Sequence, residues 1–354
     1  MAIHFTMDKM KRCQENHDLW WEGRLSRPLV KVTLTDAYEA DRKTKAPFLS
    51  QANCADFSYS PEEIVDAMDA ELSRYEFLGD AFPSINLDSY GPGVLAAMCV
   101  ARLDNSSGRV WFFPDKEREI QDIHVTYDPE NQWSKRIKAI YRAGFERWGG
   151  LVKMGFPDLG GVLDVAATFR GSENLLMDMI DEPDEVIRLS KEIEIAWRAA
   201  YEDFASALAP QGGYTHWSGL LSTEKSYIVQ CDLSYMIGKK MFDAFVLDTI
   251  RNDTQRLHHT IYHLDGVGEL NHLDSLLTLP DLNAVQWQFG DGKPGAGHWL
   301  DVYRKILDAG KLIMIEGTPG DYMDVINALH GTPFVRHEMS VKDKFFAMEM
   351  IEAR

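Results

Sequence analysis

From about residue 60 onward, apolar runs of strand length alternate with amphipathic stretches of helix length. That rhythm restricts the fold more than any other feature. A two-residue period that gives way repeatedly to one near 3.6 signals βα units with parallel strands. Eight runs qualify as strands: 84–90, 161–169, 213–221, 226–233, 257–265, 284–288, 311–316 and 334–339. Helices are expected at 173–180, 183–208, within 238–256, at 299–309 and at 322–330. The last two close on Gly310 and Gly331, residues suited to a left-handed C-cap. Ser60 followed by Pro61, Glu62 and Glu63 opens a further helix, with a hydroxyl cap, proline in the first turn and acids at its positive end.

Residues 1–60 read as an N-terminal extension with a helix at 7–21 and a strand at 28–34. Residues 92–135, with the run Gly108-Arg109-Val110-Trp111-Phe112-Phe113-Pro114, read as a hairpin-bearing insertion after the first strand. The third-to-fourth connection is too short for a helix. The expected fold is therefore α/β: a (β/α)8 TIM barrel over 61–354, with the extension packed on it. A chain of 354 residues suits one such barrel with elaborations.

Charge narrows the partners. Lys and Arg number 37 against 55 Asp and Glu, a formal charge of -18. Duplex nucleic acids and anionic membranes both call for a basic face. No stretch of roughly 18 apolar residues is present. Cys13, Cys54, Cys99 and Cys231 form no CxxC pair, a pattern of neither a disulfide framework nor a zinc knuckle, and the expected compartment is the reducing cytoplasm. Asp8, Lys9, Lys11 and Arg12 leave no apolar signal core near the start. The aromatic run 110–113 suits a homodimer contact.

In a barrel the chemistry sits at strand C-termini. Asp88 ends the first run and either caps a turn or serves as base or cation anchor. In the third, alternation turns His216 and Trp217 to opposite sides. Asp232 follows the fourth run and is either a helix N-cap or a site residue, while Cys231 before it faces the other way and reads as a small buried hydrophobe. The fifth run, His258-His259-Thr260-Ile261-Tyr262-His263-Leu264-Asp265, places His263 and Asp265 two apart on one face. Such a pair either ligates a metal, holds an acid–base couple or is a structural hydrogen bond. Glu269 and His272, three apart, are expected on the surface. Trp287 and Gln288 end the sixth run, Glu316 the seventh, and Arg336-His337-Glu338 lie in the eighth.

Three segments resemble the uroporphyrinogen decarboxylase superfamily, which includes corrinoid-linked methyltransferases and is related to cobalamin-independent methionine synthase: GVLDVAATFRG (161–171) followed by LLMDMIDEPDEV, IVQCDLSYMIGKKMFDAFV (228–246), and HLDGVGELNHL (263–273). The similarity spans roughly residues 60–345. The Arg-rich RQAGR segment of the decarboxylase proper is absent, residues 20–28 reading WWEGRLSRP, and an anionic porphyrinogen ill suits so acidic a chain. The methyltransferase branch holds zinc through His-x-Cys and a later Cys. Here His263 is kept, Asp265 replaces the Cys, and His337, Glu338 or Glu316 stands as third ligand. Carboxylate and imidazole make a harder, more Lewis-acidic site. The resemblance thus implies a divalent metal, zinc in that family's manner, at His263, Asp265 and His337. It also implies methyl exchange between a small O- or N-methylated substrate and a corrinoid on a separate protein. Asp232, Asp88 and His216 are then the catalytic candidates, and Tyr235, Trp217, Trp287 and Gln288 the pocket. A metal-free decarboxylase of a small acid and a non-enzymatic ligand-binding protein are the competing readings.

Overall fold

The first helix, Met7–Trp21, starts at Thr6, whose hydroxyl accepts the Lys9 N–H. It ends on two buried indoles, Trp20 and Trp21. The computed structural model describes residues 3–39, 42–329 and 333–352. At Pro61–Leu72 the capping box is complete: the Ser60 hydroxyl accepts the Glu63 N–H, and the Glu63 carboxylate accepts the Ser60 N–H. The long helix Pro183–Leu208 packs on Val162–Arg170 and on Gln132–Trp148.

These helices surround a mixed sheet of seven strands: β1 (Leu29–Leu34), β2 (Glu76–Gly79), β3 (Ser226–Val229), β4 (His259–Asp265), β5 (Ala284–Gln288), β6 (Leu312–Ile315) and β7 (Phe334–Met339). Their order is β2-β1-β7-β6-β5-β4-β3. All neighbours are parallel except β2, which runs antiparallel to β1. No ladder among the described residues joins β2 to β3, so the sheet is open. A separate short parallel ladder pairs Ser84–Ile85 with Lys153–Met154, and the Phe156 N–H continues it to the Thr215 carbonyl at 2.9 Å.

Several expected elements differ. Residues 161–169 form not a strand but the helix Val162–Arg170. Val162, Leu163, Val165, Ala166 and Phe169 are its buried residues, and that spacing is helical. Of 84–90 only Ser84–Ile85 is extended, Asp88–Tyr90 being a 3-10 turn. Of 213–221 only Tyr214–Thr215 is extended at the start, and it folds back antiparallel onto Leu221–Ser222. The strand assigned to the extension, β1, is an inner strand beside β7. The helix expected at 322–330 runs Pro319–Ala328, and His330 and Gly331 lie outside the described residues.

One face of the sheet changes character within a single two-residue step. Leu29, Ile228, Ile261, Ala284, Met314 and Phe334 join one buried apolar cluster with Trp20, Trp21 and Leu25. Side chains two apart on a strand share a face. The next position on that face is Lys31, Gln230, His263, Gln286, Glu316 and Arg336 in the same six strand paths. Lys31 Nζ donates to the Gly219 carbonyl and Arg336 Nη1 to that of Trp217. The 214–222 hairpin packs beside β3, so these bonds draw the two ends of the sheet toward each other.

Candidate active site

Above the apolar tier, at the strand C-termini, lies a cavity of about 610 Å³. Its walls include Gln230 and Asp232 after β3, His263 of β4, Glu316 after β6, and Arg336 and Glu338 of β7. Asn86, Asp88, Asp158 and Trp217 complete them from the connections. A larger hollow, about 1030 Å³, lies between Phe112–Phe113 and Arg170. There Arg170 is already paired with Asp178 and Glu119, and no strand of the seven-stranded sheet ends there.

His263 is held by a relay. Its Nδ1 lies 2.6 Å from Gln286 Oε1, and Gln286 Nε2 donates to Glu316 Oε1 at 2.7 Å. Because the amide nitrogen is committed to Glu316, the amide oxygen accepts, and the imidazole proton sits on Nδ1. Nε2 is left as the basic nitrogen, 4.0 Å from Asp265 Oδ2. The Trp217 ring stands edge-on to the imidazole at 4.9 Å. Burial lowers the His263 pKa, opposed by the Gln286 hydrogen bond and by Asp265. The ring is therefore neutral at neutral pH.

The acids behave in the opposite sense. Burial pushes the Asp158 carboxyl up to about 7, with the Gly160 N–H opposing and Asp232 and Asp88 adding to the rise. Asp232 stands on the wetted wall but is flanked by protein; that crowding, then Asp265, raises its pKa. Behind it Asp164, raised by burial and then by Asp232, accepts the backbone N–H groups of Asp232 and Leu233. Asp88 is raised by burial, with Arg336 opposing. Desolvation and like-charge crowding both disfavour the ionised form, so Asp158 and Asp164 take up protons near pH 7 and Asp232 near pH 6.

Asp88, Asp232, Trp217 and His263 share the cavity. Asp265 and Tyr235 line an adjoining groove of about 490 Å³, with Asp232 on the wall common to both. Gln288 pairs in register with Asp265. Three expected site residues stand elsewhere, because each strand's other face is also buried and the sequence leaves its phase open. His216 is fully buried, neither ring nitrogen having a partner, with its centroid 5.9 Å from that of Tyr227. Trp287 packs edge-on against Trp299, opposite in phase to Gln286. His337 lies between Arg336 and Glu338 but on the other face of β7; burial lowers its pKa to about 4. Nor are Glu269 and His272 surface residues: the Glu269 carboxyl accepts the Asp265 N–H at 3.1 Å, and His272 stacks on Phe242. Burial raises Glu269 to about 9.

Asp158, Gln230, Asn86 and Arg336 carry no role that the sequence patterns alone assign. Asp158 follows an unrecognised two-residue strand, and its signal is the Pro157–Gly161 turn at a strand end. A metal fits poorly: among the described residues no three His, Cys, Asp or Glu side chains come together in a ligand set. His263 and Asp265, with donor atoms 4.0 Å apart, are two groups of the expected set, but β7 turns His337, the expected third, away.

No family model and no curated protein sequence matches the chain. Its fold is shared with a solved structure, a methyltransferase from Methanosarcina mazei. The TM-score is 0.59 at 10% identity, over 96% of this chain and 97% of that one. No helix among the described residues is long and apolar enough to cross a membrane.

Proposed function

We propose that the chain is a methyltransferase acting in the 610 Å³ cavity on a small O- or N-methylated substrate, with a corrinoid on a separate protein as the methyl partner. The observation that carries this reading is the polar tier over an apolar floor, in a fold shared end to end with a protein described as a methyltransferase. The short ladder of Ser84–Ile85 with Lys153–Met154, and its link to Thr215, supports reading the sheet as a distorted (β/α)8 barrel. In such a barrel the site belongs at this end.

The mechanism uses the chain's own groups. Trp217 and His263 hold the methyl-bearing end, the neutral imidazole offering Nε2 to a substrate N–H or O–H. As the methyl carbon passes to the corrinoid, its bond to oxygen or nitrogen breaks and that atom keeps the electron pair. Asp232 gives its proton to the departing atom and is reprotonated from water, with Asp158 as a second protonated acid beside it. No step is assigned to a divalent ion, since no ligand set assembles.

The test is a panel of methyl ethers and methylamines incubated with the protein and cob(I)alamin, read as loss of cob(I)alamin absorbance. At least one donor should react, and Asp232→Asn should slow it about 10²- to 10⁴-fold, the usual size of a lost general acid. A panel that stays inert, or an Asp232→Asn protein as fast as wild type, contradicts the reading.

A further inference from the structure

Arg336 is the one arginine on the cavity wall, and it is held in place without being neutralised. One Nη1 hydrogen reaches the Trp217 carbonyl. Its Cδ lies where a side chain at position 219 would begin: a Cβ on Gly219 would sit 3.0 Å from it and 3.3 Å from Nη1. Gly219 at φ +82 thus lets the arginine stem lie against the hairpin. A guanidinium has five N–H donors, and among the described residues the Trp217 carbonyl is the acceptor shown for this one. Asp88, Glu316 and Glu338 share the cavity, yet none comes within ion-pair distance of Arg336 among the described residues. Lys31, paired with it in register and fully buried, lies beneath with its Nζ on the Gly219 carbonyl.

The opposite wall supplies a second, independent observation. Gln230 is 6% exposed and its Oε1 has no hydrogen-bond partner; Asn86 Oδ1 and Trp217 Nε1 are likewise buried and unpartnered. A buried polar atom without a partner costs about 1–3 kcal/mol; Asn86 Oδ1 is turned toward Gly155, while the Gln230 side chain reaches the cavity wall.

We propose that Arg336 is the anchor for a carboxylate on the substrate. This rests on the cavity being the substrate site, and it names the substrate class: a small methylated carboxylic acid. A fork of two parallel N–H···O bonds gives such an arginine its selectivity for planar carboxylates, and its fixed position lowers the ordering cost of binding.

The experiment uses the intact protein with propionate and its uncharged isostere propionamide as probes, read by saturation-transfer NMR titration. Wild type should bind propionate at least tenfold more tightly than propionamide. Arg336→Gln should weaken propionate about ten- to a hundredfold, the worth of charge-assisted hydrogen bonds, and leave propionamide unchanged. Equal binding of the two probes by wild type overturns the proposal without any variant, and so does propionate binding that survives Arg336→Gln. Because neither arm involves methyl transfer, carboxylate binding in a protein inert toward cob(I)alamin would retain the anchor and discard the methyltransferase reading; the reverse pairing would discard the anchor alone.

Discussion

Replacing Lys31 by methionine gives a quantitative check on how the polar tier is built. Lys31 is fully buried, its Nζ donating to the Gly219 carbonyl and lying 3.8 Å from the Phe82 ring centroid. Burial, then Arg336, brings its pKa down from 10.5 to about 7. A shift of that size corresponds to about 5 kcal/mol. The sign follows from proton binding: between pH 7 and 10.5 the unfolded chain holds the proton and the folded one does not, so wild-type stability rises with pH across that window. Below pH 7 the full penalty is present; above 10.5 it is gone. Methionine keeps the packing volume and removes the titration, leaving the Gly219 carbonyl short of a donor at a pH-independent cost of about 1–3 kcal/mol. Urea unfolding of both proteins should therefore show the stability of Lys31→Met, relative to wild type, falling by about 3 kcal/mol between pH 6 and 9.5. Parallel pH profiles for the two proteins would refute the reasoning, because they would mean that Lys31 titrates normally and is not desolvated.

Two further outcomes follow from the same geometry. If Asp232 acts as a protonated acid, the methyl-transfer rate falls as pH rises through its raised pKa; Asp265→Asn removes a neighbouring like charge and should move that fall to lower pH, so an unmoved profile counts against the assignment. Gln286→Met strips His263 Nδ1 and Glu316 of their shared partner and should cost about 1–3 kcal/mol in urea titration, whereas no loss would mean that the relay is not formed.

The strand-and-helix rhythm was legible because burial imposes it over many residues. Pro183–Leu208 and Met7–Trp21 could be bounded by their caps and apolar stripes. The phase of buried strands was not legible. Val335 and His337 face one way on β7, and Phe334 and Arg336 the other; with helices on one side and a core on the other, hydrophobicity does not say which side is which. The run at 161–169 misled for a related reason: an apolar stretch of nine fits a buried strand or a buried helix, and the tertiary bonds from Asp232 and Leu233 to Asp164 are invisible in sequence. The placement of β1 beside β7 depends on a pairing some 300 residues apart, which no local pattern reports. Asp88, Asp232 and His263 emerged from their places at strand ends. Arg336 did not, because what singles it out is the absence of an ion-pair partner among the described residues, a property of three dimensions.

The central claim is that a methyl group leaves its substrate inside this cavity. Its most direct test is isotopic: a donor carrying a trideuterated methyl group is incubated with the protein and cob(I)alamin, and the label on cobalt is counted by mass spectrometry in wild type, His263→Ala and Asp232→Asn. The account predicts intact trideuteromethyl on cobalt with wild type and a loss of about a hundredfold or more in both variants. Label that never reaches cobalt, or that arrives equally fast in all three proteins, contradicts it.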